Sequence, residues 1–263
     1  MQHIRKLTNL LPQPIRFGLR RAVFWGTAQK CVLCGHNTRG FRGHGGGAEV
    51  LNTRRVVGGM RREYDSCPVC HACDRTRLMM LYLERHTLVG RAPLRLLHVA
   101  PDYGLYLWLQ RQSGLDYVGT DIDAHRYRHI KGIQTADLTA TVFPDNSFDI
   151  IVCSHVLEHV PDDQKAFLEI ARILKPGGTA LLLTPYALDD KGTDEDPTVV
   201  DPAERDRRFG QWDHVRLYDR NTFLDRMRTA GLETHLYDPF NDAPKQAETL
   251  HLNPLELLPV GKK

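Results

Sequence analysis

Residues 144–163, PDNSFDIIVCSHVLEHVPDD, lead into a helical stretch that ends at ILKPGG (173–178), and this part of the chain decides the fold. SFDIIVCSH (147–155) is an apolar run of strand length, as expected for a strand buried on both faces. DQKAFLEIARILKPGG (163–178) carries the helical period and closes on Pro-Gly-Gly, and TALLLTP (179–185) is another buried strand. Strand, helix and strand in this order predict a parallel pair joined by a crossover helix. Ser154 and His155 then fall at the carboxyl end of a parallel strand, where such sheets bind ligands.

The alternation continues in both directions. Upstream, LRLLHVA (94–100) is a buried strand, PDYG (101–104) a turn, LYLWLQRQ (105–112) a helix and YVGTDID (117–123) a strand ending in acids. GIQTAD (132–137) is a short strand ending in Asp137. Downstream, RNTFLDRMRTAG (220–231) reads as a helix, ETHLYD (233–238) as a strand, and 257–260 as a weak last strand. The acid-rich run 189–201 reads as a solvated lid or loop. The expected fold is α/β, a parallel sheet with helices on both faces.

The first 95 residues differ in character. They carry 17 Lys and Arg against five acids, a net of +12, within a chain whose total is +3. Residues 1–30 hold six bases and no acid, with apolar residues at helical spacing on both sides of Pro12 and Pro14. This basic arm is suited to an anionic membrane face or to packing on the main domain. Five of the six cysteines lie between positions 31 and 73. Cys31-Val32-Leu33-Cys34 and Cys67-Pro68-Val69-Cys70 each put two thiolates on one tight turn, and two such turns complete the tetrahedral S₄ site that structural zinc prefers. Cys73 forms a further CxxC with Cys70, so it is an alternative ligand, and His36 and His71 follow ligand cysteines. A closed S₄ site has no open position, which makes this zinc structural. A helix over 74–85 joins the unit to the sheet. The expected organisation is an arm (1–30), a zinc-ribbon-like Cys₄ unit with a linker helix (31–93) and an α/β domain (94–263).

Composition excludes other classes. Apolar residues at 41% and charged residues at 25% are those of a folded globular chain. No apolar run approaches the ~20 residues needed to cross a bilayer, and the first residues lack the apolar core of an export signal. The expected location is cytoplasmic, or peripheral at a membrane.

The central block PDNSFDIIVCSHVLEHVPDD with ILKPGG resembles the class I S-adenosylmethionine-dependent methyltransferases. LLHVAPD, EDP (195–197) and FGQWDHVRLYDR (209–220) resemble a bacterial subgroup that also carries an N-terminal Cys₄ unit. The resemblance implies a seven-stranded Rossmann-like sheet with S-adenosylmethionine at its carboxyl ends. It implies that Asp121 accepts from both ribose hydroxyls, that Ile122 presses on the adenine, and that Asp137 with Leu138 meets the adenine edge. Ser154 and His155 would lie beside the methionine portion. The family's glycine-rich first loop is here Ala100-Pro101-Asp102-Tyr103-Gly104: small Ala100 permits close approach, Gly104 keeps the glycine, and Asp102 is placed to meet the cofactor's amino group.

An oxygen acceptor of high pKa needs a general base, most often histidine. His155 and His214 stand at the right strand ends for that role. Trp212, Tyr186 and Phe209 are candidate acceptor walls, and His98 inside the first strand reads as a satisfied core histidine. The sequence favours methyl transfer to a hydroxyl or carboxyl of a small molecule, sugar or lipid-linked glycan. The alternatives are an RNA methyltransferase gripping phosphates with its basic zinc unit, for which the aromatic platform is thin, and a non-catalytic zinc-ribbon scaffold.

Overall fold

The computed structural model describes residues 13–263, so the first arm helix expected before Pro12 lies outside the described residues. The second arm helix forms as α1 (Gln13–Val23), with Pro14 in its first turn, where the missing amide proton has no intrahelical partner to lose. Phe17 of α1 packs edge-on against Tyr103 at 5.6 Å, while Ile15, Leu19 and Val23 remain exposed. β1 (Trp25–Lys30) and β2 (Asn37–Thr38) pair antiparallel on either side of the first CxxC. β3 (Arg42–His44), a short helix α2 (Glu49–Thr53) and β4 (Arg62–Ser66) follow, β3 and β4 being antiparallel. β4 runs into the second CxxC, and α3 (Asp74–His86) leaves it.

α3 is capped by Cys73, whose sulfur and backbone both face the Thr76 hydroxyl, and Asp74 occupies its first turn. Residues 78–83 of α3 are all buried, because the helix lies between the cysteine unit and the sheet. One apolar cluster joins Cys31, Leu33 and Val69 to Leu78 and Leu81 of α3 and to Leu96, Ile150 and Leu181 of the sheet. The cysteine unit and the sheet therefore share a continuous core.

The rest of the chain is β5 (Leu94–Val99), α4 (Tyr103–Leu109), β6 (Leu115–Asp121), β7 (Ile133–Thr135), β8 (Phe148–Ser154), α5 (Asp163–Ile173) and β9 (Leu174–Leu183). It continues with β10 (Tyr186–Ala187), β11 (Asp194–Glu195), α6 (Pro202–Phe209), β12 (Arg216–Asp219), α7 (Arg220–Thr229), β13 (Glu233–Tyr237), two short helices and β14 (Leu258–Lys262). Seven strands form one sheet in the order β13-β14-β9-β8-β5-β6-β7, the Rossmann-like sheet expected. Only β14 runs antiparallel to its neighbours. The chain leaves β5 toward β7 and returns to β8, so the carboxyl ends of β5 and β8 make the switch point. His98 inside β5 is buried, accepting from the Asp102 amide at Nε2 and meeting the Tyr117 hydroxyl at Nδ1.

Two local expectations are corrected. Lys175–Gly178 does not close α5 but begins β9, where pairing shifts from Phe148–Leu174 to Ile150–Thr179. The extra residues bulge out, and Gly177 and Gly178 exchange backbone hydrogen bonds with Lys263. The acid run 189–201 is not a solvated loop. Asp189 forms a bidentate pair with Arg54, Asp194 and Asp196 take Arg208, and Glu195 bridges Arg216 and Arg226. β11 and β12 pair antiparallel, and β10 joins β12 in a small second sheet, so the run is tied down by ion pairs and strand pairing.

Candidate active site and metal centre

A cleft of about 600 Å³ opens at the switch point, within the range of cofactor and ligand sites. Ala100, Asp121, Ile122, Asp137, Leu138 and His155 line it. Asp121 ends β6; one carboxylate oxygen accepts from the Asp123 amide at 2.8 Å, and burial holds its pKa above the usual carboxylate range. Ile122 is 72% exposed at the cleft wall, an apolar surface with no protein neighbour to cover it. Asp137 caps its own turn, accepting from the amide and hydroxyl of Thr139 at 2.8 Å each. Ala100 keeps the left-handed backbone, φ +45°, that favours glycine, and its amide donates to the Thr120 carbonyl at 2.7 Å.

Asp102, Gly104 and Ser154 are placed differently from the sequence expectation. None of the three lines the cleft. Asp102 caps α4, accepting from the Leu105 amide at 3.1 Å and the Thr76 hydroxyl at 3.2 Å, so its carboxylate ties α4 to α3. A Cβ on Gly104 would stand 2.6 Å from that of Ala72, so this glycine permits the close approach of α4 to the cysteine unit. Ser154 ends β8 in register with Leu183.

A second cavity of about 320 Å³ shares His155 and Gln211 with the cleft. Its other walls include His214, Pro185 and glycines of the 44–60 segment, among them Gly58. That segment is held at the sheet by Val57 and Tyr186, which exchange backbone hydrogen bonds of 2.9 and 3.2 Å. In the sequence these glycines read as punctuation between strands. Their position beside β8 depends on this non-local pairing, which no local pattern encodes.

His155 sits directly after β8 with φ +56°, held by a 2.7 Å bond from its amide to the Leu183 carbonyl. Its Nδ1 faces Oε1 of buried Glu158 at 3.4 Å, and the other Glu158 oxygen accepts from the Thr184 hydroxyl at 3.0 Å. His155 Nε2 is buried with no hydrogen-bond partner among the described residues. A Cβ on Gly58 would stand 3.3 Å from it. Burial, with the charge of Arg75 adding to it, pushes the His155 pKa well below its ordinary value. The ring is therefore neutral at neutral pH, and Glu158 Oε1, 3.4 Å from Nδ1, is likewise without a hydrogen-bond partner among the described residues.

His214 is also buried and its pKa lowered by burial, with Nδ1 donating to the Phe209 carbonyl at 3.1 Å. It lines the second cavity only. His159 lies against it, ring centroids 4.7 Å apart, and donates to the Asp213 carbonyl at 3.3 Å. The expected aromatic walls are absent from both cavities. Tyr186 and Phe209 are fully buried and Trp212 is 63% exposed, whereas Gln211 lines both cavities.

Cys31, Cys34, Cys67 and Cys70 converge, with Sγ–Sγ separations of 3.7 Å for Cys31–Cys70 and 4.0 Å for Cys34–Cys67. Zinc–sulfur bonds of about 2.3 Å in a tetrahedron require edges of about 3.8 Å, so the four thiols fit. The two turns repeat one pattern. Gly35 and His71, with φ +72° and +64°, donate to the Cys31 and Cys67 carbonyls, and the Cys31 and Cys67 amides donate to His36 and Ala72. Cys73 stands outside the cluster, a buried thiol whose pKa burial pushes up to about 11. His36 is turned away, bonded to the Arg21 carbonyl at 2.9 Å.

A family model described as a methyltransferase domain matches residues 72–237. The chain is 49% identical over 53 residues to an uncharacterized methyltransferase of Bacillus subtilis, covering 20% of this chain and 21% of that protein. It is 33% identical over 121 residues to a demethylmenaquinone methyltransferase of Thermus thermophilus, covering 41% and 52%. The chain thus spans about half or less of the length of these curated relatives. The solved structure of an S-adenosylmethionine-dependent methyltransferase from Mesorhizobium loti superposes with a TM-score of 0.49 at 21% identity, covering 72% of this chain and 96% of that one. With the family match over most of the chain and a seven-stranded sheet reversed only at β14, this chain belongs to the class I S-adenosylmethionine-dependent methyltransferase family.

Proposed function

We propose that the chain methylates an oxygen of a small acceptor bound in the second cavity, with S-adenosylmethionine in the 600 Å³ cleft. The observation that carries this reading is the shared wall: His155 borders both spaces, so a methyl donor and an acceptor would meet beside it. The cofactor, when bound, supplies a methyl group on a positively charged sulfur. The remaining steps belong to the protein. Asp121 offers carboxylate oxygens to paired hydroxyls, Ile122 offers an apolar face, and Asp137 and Leu138 border the adenine end. His155 Nε2 takes the acceptor's hydroxyl proton as the new C–O bond forms and the C–S bond breaks, and Glu158 steadies the ring from behind. His214 lines the acceptor side and orients it. In the same reading, Cys31, Cys34, Cys67 and Cys70 hold one structural zinc.

The exposed stripe Ile15, Leu19, Val23 and Trp25, beside Arg16, Arg20 and Arg21, supports a peripheral contact of the arm with an anionic membrane. No helix among the described residues is long and apolar enough to cross one.

The test is transfer of labelled methyl from S-adenosylmethionine into a cell extract resolved into lipid, RNA and small-molecule fractions. Label in the small-molecule or lipid-linked glycan fraction is expected. Label in RNA would replace this reading by the nucleic-acid one. Cofactor binding without transfer to any fraction would favour a scaffold.

A further inference from the structure

The second cavity shares His44, Gly58 and Arg75 with a third, of about 200 Å³, on the side away from the cofactor cleft. Several charged groups bordering this space are already committed. Asp65 pairs at 2.8 Å with Arg77, which lies outside the cavity lining, and Arg62 pairs with Asp74. Asp102, whose charge reaches Arg75, accepts from the Leu105 amide and the Thr76 hydroxyl. Arg75 is different. Its guanidinium makes no hydrogen bond or ion pair among the described residues, although its charge reaches His155 and His44. Glu256, 2% exposed, also lines the third cavity and leaves Oε1 without a partner among the described residues. Burial and the neighbouring Asp74 push its pKa up to about 8 while Arg75 pulls it down, and the charges of Glu256, Asp102 and Asp74 reach Arg75 without a hydrogen bond to its guanidinium. An unpaired guanidinium in a narrow cavity is costly unless a ligand completes it, and its planar fork matches an oxyanion.

We propose, on the reading that the double cavity is a methyl-transfer site, that the acceptor carries an oxyanion, a carboxylate or a phosphate, seated on Arg75 while a hydroxyl of the same molecule meets His155 Nε2. The orphaned Glu256 Oε1 and His155 Nε2, both beside Gly58, then gain polar partners from that molecule.

Two measurements on the full zinc-loaded chain test this. In the first, the labelled small-molecule product is passed over an anion exchanger. Retention is expected, and loss of retention after phosphatase or after carbodiimide amidation distinguishes phosphate from carboxylate. Label in the unretained fraction overturns the proposal while leaving methyl transfer intact. In the second, inorganic phosphate and acetate are titrated at constant ionic strength against wild type, Arg75→Lys and Arg75→Met, and melting is followed. At least one anion should raise the wild-type melting temperature more than that of Arg75→Met, with Arg75→Lys, which keeps the charge without the fork, between them. Equal responses overturn the anion seat whether or not the enzyme turns over. Among variants that melt cooperatively, Arg75→Met should raise the acceptor KM at least about 30-fold with cofactor affinity unchanged.

Discussion

His155 Nε2 and Glu256 Oε1 both border Gly58, each 3.3 Å from where a Cβ on that glycine would stand, and neither has a hydrogen-bond partner among the described residues. The two atoms come from the end of β8 and from the segment before β14, and a side chain at position 58 would crowd both. Gly58 also has φ +78°. Gly58→Ala should therefore crowd the acceptor cavity and strain the turn by about 1 kcal/mol. Acceptor turnover should fall while S-adenosylmethionine affinity, read by calorimetry, stays near wild type. Normal turnover in the Gly58→Ala enzyme would remove this cavity from the acceptor path.

Asp121 is expected to carry cofactor affinity and little else. Its contacts are one bond to a neighbouring amide, so Asp121→Ala should fold normally. Losing charge-assisted hydrogen bonds to two hydroxyls should weaken S-adenosylmethionine binding by roughly 2–3 kcal/mol, about 30- to 150-fold. Unchanged calorimetric affinity would mean that β6 does not end at the ribose.

The two histidines should separate kinetically. Asparagine tolerates the left-handed backbone of His155, so His155→Asn should keep the fold while turnover falls about 100-fold or more. His214→Asn loses the bond to the Phe209 carbonyl and should lower the melting temperature with a smaller loss of turnover. The reverse ranking would transfer the base role to His214.

For the cysteine centre, one zinc per chain is expected by elemental analysis. Cys34→Ser should lose the metal and unfold the unit around it, because ligand binding and folding are coupled there. Cys73→Ser should keep zinc, since Cys73 lies outside the cluster and caps α3. Metal loss in Cys73→Ser would assign that thiol to the site.

Glu256 gives stability a pH dependence of definite sign. Burial, with Asp74 adding to it, raises its pKa from 4.5 to about 8, so the folded state holds this proton more tightly than the unfolded chain. Its contribution is full below about pH 4.5 and is lost as pH rises through 8. Wild type should lose melting temperature between about pH 5 and 8.5 more steeply than Glu256→Gln, whose amide does not titrate. Parallel curves would show that Glu256 is ionised in the fold.

The sequence by itself determined the strands of the main sheet and the helices between them from Leu94 onward, the pairing of two CxxC turns and the acids at or just after the ends of β6 and β7, but not β10, β11, α6, β12 or the short helices before β14. These are local matters: an apolar period, the reach of two thiols on one turn, a carboxylate at a strand end. It could not place the glycine-rich segment between the cysteine pairs beside β8, bring Arg75 and Glu256 to one cavity, or turn the acid run 189–201 from a solvated loop into an ion-paired one. It also did not show that Asp102 and Gly104 seat α4 against α3 and the cysteine unit. Those outcomes rest on contacts between residues far apart in the chain, such as Val57 with Tyr186 and Arg54 with Asp189. Each forms only after burial of the shared core has brought distant segments together, so only the tertiary structure decided them.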